Sequence, residues 1–189
     1  MNPLRLLEHH SFVLVIDIQG KLARIIDQGE AVIKRNQWLL TIANKLNVPI
    51  WFTEQYPQGL GETVEELLAW RTKANTVTKT RFSAYETLQQ HQGFSAFLQQ
   101  NQGRNQVVIT GTESHVCVLQ TALEFAHHGW SVFMVADAVG SRTAESKALA
   151  LARMQEAGIQ IINGEMAVFE WLDDSASERF KQISRNYLR

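Results

Sequence analysis

Six short runs of apolar and β-branched residues punctuate the chain: FVLVI at 12–16, VPIWFT at 48–53, NTVT at 75–78, QVVIT at 106–110, SVFMVA at 131–136 and IQII at 159–162. Each is largely apolar on both faces, the signature of strands whose sheet is covered on two sides. Segments of helical period lie between them. Between the first two runs, Val32, Ile33, Leu39, Leu40, Ala43 and Leu46 recur at helical spacing, with Lys34, Arg35, Asn36 and Gln37 turned outward, which predicts an amphipathic crossover helix. Further helices are expected over 62–70, 94–101, 115–128 and 142–157, the last stopped by Ala157-Gly158, and over the tail from Ser175 to Leu188. Regular alternation of strand and helix implies parallel strands joined by right-handed crossovers, hence a three-layer α/β/α sandwich around a six-stranded parallel sheet. With 189 residues, 45% of them hydrophobic, and no repeat, low-complexity tract or linker, the expectation is one domain over 1–189 with one sizeable core.

In such a sheet the ligand crevice lies outside the carboxyl ends of the strands, where strand order reverses. Three of the loops at that edge carry reactive groups. The first run ends in Ile16-Asp17-Ile18-Gln19, and a carboxylate where an apolar strand meets the crevice is costly unless used or paired. The third run is followed by Lys79-Thr80-Arg81-Phe82-Ser83, which brings an ammonium group to the same edge. The fourth is followed by Gly111-Thr112-Glu113-Ser114-His115-Val116-Cys117, with the only cysteine of the chain. If a helix begins near His115, Cys117 falls in its first turn, where unpaired N–H groups and the positive dipole end favour a thiolate.

Each residue also has a plainer reading. An isolated cysteine among Val116, Val118 and Leu119 is often a small buried hydrophobe, an aspartate after a strand a turn residue, and a lone lysine a surface charge. His115 reads as a helix-start or packing residue as well as a base, and the other histidines show no metal-ligand spacing. Convergence favours the functional reading, because acid, cation and thiol all fall at strand carboxyl ends. The net charge of −1, with basic residues scattered, lacks the footprint of a nucleic-acid or anionic-membrane binder and suits a small, nearly neutral ligand. A single cysteine forms no internal disulfide and fits a reducing cytoplasm, the expected location. Asp17 cuts short the first apolar run, so the start resembles neither a signal-peptide core nor a membrane span. A dinucleotide-binding domain is disfavoured because IDIQGKLARI, not G-x-G-x-x-G, follows the first strand.

The series VLVIDIQ, KTRFSAY, TGTESHVCVLQTA and VADAVGSR, in that order over about residues 12–170, resembles the isochorismatase-like (cysteine) hydrolase superfamily, which also contains nicotinamidases and carbamoyl-sarcosine hydrolases. WFTEQYPQGLGETVEEL is similar to the small bacterial members of uncharacterised substrate. The resemblance implies sheet order 3-2-1-4-5-6 and an Asp17–Lys79–Cys117 catalytic triad. It implies that Cys117 attacks an amide or related carbonyl, that Asp17 shuttles the proton, and that water resolves a thioester. The backbone N–H groups of Glu113 and Cys117 would form the oxyanion hole, with a non-proline cis peptide at Thr112–Glu113. Gln19, Tyr56, Phe82 and His115 are expected to line the substrate pocket, packing being the alternative for all four. Nicotinamidases carry an Asp-x-His metal motif after the second strand; here that loop reads WFTEQYPQGLGE, and Glu54 alone is no metal site, so neither metal nor other cofactor is expected. Isochorismatase proper lacks the nucleophilic cysteine, which disfavours chorismate chemistry. Expected partners are a small-molecule substrate, no nucleic acid and no membrane, and further copies of the chain in a dimer or larger homo-oligomer. Trp38, Trp70 and Trp171 read either as contact anchors or as core. A non-catalytic or redox-sensing protein on the same scaffold is the rival reading.

Overall fold

The computed structural model describes residues 5–188; residues 1–4 and 189 of the expected domain lie outside them. Six strands, β1 (Ser11–Ile16), β2 (Ile50–Gln55), β3 (Thr76–Lys79), β4 (Gln106–Thr112), β5 (Ser131–Gly140) and β6 (Gln160–Ile162), form one all-parallel sheet in the order β3-β2-β1-β4-β5-β6. Helices α1 (Leu22–Ile25), α2 (Gly29–Lys45), α3 (Pro57–Leu60), α4 (Tyr85–Gln90), α5 (Gln92–Gln100), α6 (Leu119–His127), α7 (Ala144–Glu156), α8 (Gly164–Leu172) and α9 (Glu178–Tyr187) complete the three-layer sandwich.

Strand periodicity sorts the core into two halves. Successive side chains of β1 point to opposite faces, so Val13 and Val15 join a cluster with residues of α2, α8 and α9, while Phe12, Leu14 and Ile16 join one with residues of α4, α5, α6 and α7. All six β1 residues are buried, which explains why its sequence lacks polar alternation. Trp171 belongs to the core and donates from Nε1 to Ser11 Oγ at 2.9 Å, while Trp38 and Trp70 pack partly buried against it.

Four expectations are corrected. Asn36 is not turned outward but fully buried, its amide donating at 2.9 Å to the carbonyls of Val32 and Ala138 and so tying α2 to β5. The helix expected at 62–70 shrinks to one 3-10 turn, Glu65–Leu67, because the Thr63 N–H and hydroxyl are both drawn to the buried Glu54 carboxylate at 2.9 and 2.7 Å. The helix expected from 115 begins as a π-helical turn, Ser114–Val118, with regular α-helix only from Leu119. Helices α1, α3, α4 and α8 have no counterpart among the helices expected from the sequence.

Candidate active site

The strand order reverses between β1 and β4, each flanked on its other side by a different half of the sheet, and the ends of these two strands define the crevice. The backbones approach closely there: a Cβ on Gly111, whose φ is +122°, would lie 2.0 Å from the Ile16 carbonyl oxygen. Only glycine fits that contact and that conformation. The Thr112–Glu113 peptide is cis.

Asp17 leaves β1 with φ +50° and is held on every side. Its N–H donates to the Thr53 carbonyl at 3.2 Å, and its own carbonyl accepts from Thr112 Oγ1 at 2.6 Å. Its carboxylate accepts from Thr53 Oγ1 at 2.6 Å on Oδ1 and from Lys79 Nζ at 2.7 Å on Oδ2. Lys79 ends β3 with a side chain wholly removed from solvent. Its ammonium also donates to Gln55 Oε1 at 2.6 Å and to the Phe82 carbonyl at 3.0 Å, with the Arg81 carbonyl at 3.3 Å. A buried charge of this kind persists only when paired and hydrogen-bonded, and both conditions are met.

Cys117 is 7% exposed and lies within the π-helical turn. Its thiol is pushed up to about 12, first by burial and then by the Asp17 carboxylate, against a smaller downward pull from the Lys79 ammonium. The acid just after β1 and the cation at the end of β3 therefore both act on the sulfur. The expected resting thiolate is reversed: the α-helix starts two residues later, and desolvation with a facing carboxylate outweighs the ammonium. The Cys117 carbonyl accepts from Thr121 Oγ1 at 2.7 Å, and Thr121 Oγ1 accepts the Ala84 N–H at 3.0 Å, linking this turn to the loop after β3.

The Glu113 carbonyl accepts the N–H groups of Val116 and Val118 at 3.0 and 3.3 Å, while the Glu113 carboxylate takes Arg142 Nε at 2.5 Å. Tyr56 and Phe82, 55% and 54% exposed, sit on the rim, Tyr56 donating its N–H to the Lys79 carbonyl at 2.8 Å. His115 is bound through its ring to Ser141 Oγ. Gln19 departs from the expected lining role: it is fully buried, and its amide bridges the Gln55 backbone and the Gly61 carbonyl at 2.6–3.1 Å. Thr53 and Gln55, which hold Asp17 and Lys79, went unnoticed in the sequence.

A cavity of about 380 Å³ opens beside β3 and includes Tyr56, Lys79 and Arg81 in its lining. A larger hollow of about 810 Å³ lies between α2 and α7 and contains none of the candidate residues. Among the described residues no three His, Cys, Asp or Glu side chains cluster as metal ligands, and no helix is long and apolar enough to cross a membrane. Glu54 lies within β2 rather than in the loop after it, and its carboxylate is occupied by Thr63 and by Arg71 at 3.1 Å.

The isochorismatase-domain family model matches residues 11–166. Isochorismatase family protein 1B of Dictyostelium discoideum is 35% identical over 173 residues, covering 92% of this chain and 84% of that one. Among solved structures, MAR1 ribonuclease from Caenorhabditis elegans is 31% identical with a TM-score of 0.83, covering 98% and 93% of the two chains. YcaC from Pseudomonas aeruginosa, described with covalent acrylamide, is 27% identical with a TM-score of 0.84 and coverage of 100% and 94%. YcaC from Escherichia coli, described as an octameric hydrolase of unknown specificity, is 25% identical with a TM-score of 0.84 and coverage of 100% and 93%.

Proposed function

Because the chain belongs to the isochorismatase family of hydrolases, we propose that it is a cysteine hydrolase cleaving an amide or related C–N bond of a small molecule with Asp17, Lys79 and Cys117. The observation that carries this reading is a buried, fully hydrogen-bonded carboxylate–ammonium pair, Asp17–Lys79, whose charges both act on the buried Cys117 thiol. A thiol held near 12 stores no thiolate at neutral pH, so its proton has to leave as the S–C bond forms. Asp17 is the acceptor in place. Cys117 Sγ attacks the carbonyl carbon, Asp17 takes the thiol proton and delivers it to the departing nitrogen, and the C–N bond breaks to leave a thioester. Water, deprotonated by Asp17, then releases the acid and restores the thiol. Lys79 keeps Asp17 ionised between these steps. The N–H groups of Glu113 and Cys117 receive the oxyanion, each donor contributing up to a few kcal/mol. In support, the Glu113 carbonyl takes the amides on both sides of Cys117, Val116 and Val118, and not the Cys117 N–H.

Tyr56, Phe82 and His115 are the side chains we propose to meet the rest of the substrate. The reaction is proposed to need no metal, since Lys79 already supplies the positive charge beside Asp17 and Glu54 is committed to Thr63 and Arg71. By analogy with the octameric Escherichia coli relative, the chain works as a homo-oligomer, and its lone cysteine suits the cytoplasm. The redox-sensor reading fits less well, because a sensor thiol is easily ionised whereas burial and the Asp17 carboxylate hold the proton on Cys117.

Similarity to the nematode MAR1 ribonuclease favours a second reading, an RNA-cleaving enzyme. Against it, Arg24, Arg81 and Arg142 are each paired with a glutamate, and the chain carries one more acid than base. A screen of small amides, carbamoyl compounds and single-stranded RNA against wild type and Cys117→Ala separates the readings. Amide turnover lost in Cys117→Ala supports the proposal. RNA cleavage without any amide turnover, or amide turnover that survives Cys117→Ala, defeats it.

A further inference from the structure

The roles given to Asp17 and Lys79 depend on their staying in one orientation, and the two side chains that hold them, besides each other, come from a single strand. In the sheet β2 lies between β1 and β3, with Ile16 opposite Thr53 and Gln55 opposite Lys79. Residues 53 and 55 of a strand share one face, and residue 54 lies on the other. Glu54 accordingly serves a different cluster, with Thr63 and Arg71, while Thr53 turns to Asp17 and Gln55 to Lys79.

We propose that Thr53 and Gln55 are positioning residues for the nucleophilic reaction of Cys117, Thr53 fixing the carboxylate of Asp17 and Gln55 fixing the ammonium of Lys79. The inference rests on the reading of Cys117 as nucleophile and Asp17 as its base. Thr53 donates from Oγ1 to Asp17 Oδ1 while its carbonyl accepts the Asp17 N–H, so carboxylate rotation and backbone are locked by one residue. Gln55 is itself oriented: its Nε2 donates to the Thr80 carbonyl at 2.7 Å and its N–H to Gln19 Oε1 at 2.6 Å, which leaves the amide oxygen, not the nitrogen, facing Lys79. The three ammonium protons are then consumed by Asp17, Gln55 and the Phe82 carbonyl, the last shared with that of Arg81. Buried Gln19, by holding Gln55, stands one step further back in the same chain of contacts.

Acrylamide is the probe, applied to the full chain. In the labelling reaction Cys117 Sγ bonds to the terminal alkene carbon as the C=C π bond breaks, and the thiol proton passes through Asp17 to the adjacent carbon. Thr53→Val and Gln55→Leu should each lower the limiting first-order labelling constant by about 10- to 100-fold, the weight of one hydrogen bond to a charged group. The half-saturating acrylamide concentration should stay at the wild-type value, since neither residue is assigned to the substrate. Thr53→Ser, which keeps the hydroxyl, should restore labelling. If either first variant fails to fold, Thr53→Ala and Gln55→Met repeat the measurement. Folded variants that label at the wild-type constant overturn the proposal, as does a change confined to the half-saturating concentration. Labelling requires no hydrolysis, so failure to find amide turnover leaves this test standing; a wild-type protein that acrylamide does not modify at Cys117 overturns the nucleophile reading and the positioning role together.

Discussion

Two acid–cation pairs sit at comparable distance in different surroundings, Asp17–Lys79 at 2.7 Å beside the carboxyl end of β1 and Asp137–Arg35 at 3.0 Å in the hollow between α2 and α7. The side chains of the first are 6% and 0% exposed, those of the second 32% and 33%. Solvent screens the second pair, which makes it worth at most about 1 kcal/mol. The first has surrendered its hydration, and removing one partner strands the other as an uncompensated charge. The larger space surrounds the weaker pair. What distinguishes the proposed site is therefore the removal of water from a fully bonded pair.

The largest contrast should come from breaking each pair. Lys79→Ala should lower unfolding free energy by about 3–5 kcal/mol in urea titration, because Asp17 is left buried and charged. Asp137→Ala should cost about 1–2 kcal/mol, mostly for the Gly164 N–H that Asp137 Oδ1 accepts at 2.8 Å. The double variant Asp17→Asn, Lys79→Met should recover much of the lost stability without recovering any turnover, separating the pair's chemical role from its structural one. Equal losses for Lys79→Ala and Asp137→Ala would erase the distinction. A second disturbance confined to the buried side is Gly111→Ala. Its left-handed φ alone costs about 1–3 kcal/mol, and the new Cβ also meets the Ile16 carbonyl, so destabilisation should exceed that of alanine at any exposed position of α7.

The two regions should also titrate with opposite sign. The folded thiol of Cys117 holds its proton up to about 12 while an unfolded chain releases it near 9, so the folded state binds more protons in that window and stability falls as pH rises through it. Lys147, in the hollow, is pushed below its ordinary value by burial, against a raising effect of Asp137 and Asp27. The unfolded chain then binds more protons below 10.5, and stability rises with pH as the folded group loses its charge. Differences in melting temperature between wild type and Cys117→Ala, and between wild type and Lys147→Met, followed from pH 8 to 11, should slope in opposite directions. Parallel slopes would mean that one of the two environments is misassigned. The smallest effect belongs to Arg35→Ala, whose one-third-exposed pair should change stability by less than about 1 kcal/mol.

The fold was legible in the sequence wherever one residue type dominates a segment. All six strands fall within a few residues of the apolar runs, since strands covered on two faces leave no room for polar alternation. Helix α8 has a signal legible in the sequence, Asn163 capping the N–H of Met166 at 2.8 Å ahead of an apolar helical face. The 62–70 segment could not be read locally, because what unwinds it is Glu54, a residue of another element. At the site, Asp17, Lys79 and Cys117 stood out as polar or reactive groups interrupting strand ends. Thr53 and Gln55 did not, because a polar residue at a strand end reveals its use only once its neighbours across the sheet are known. The state of the thiol was illegible for the same reason: the opposing charges on it come from the ends of two other strands, β1 and β3, and the local cue, a helix start, pointed the other way.

The central claim, that the buried pair exists to move the proton of Cys117, is tested most directly by rapid-quench mass spectrometry on the first amide the enzyme is found to turn over. The account predicts an acyl adduct on the peptide containing Cys117, formed and lost at rates compatible with turnover, absent in Cys117→Ala and formed at least about a hundredfold more slowly in Asp17→Asn. Wild-type turnover with no adduct at Cys117 under conditions that stabilise thioesters, or an adduct formed equally fast in Asp17→Asn, would contradict it.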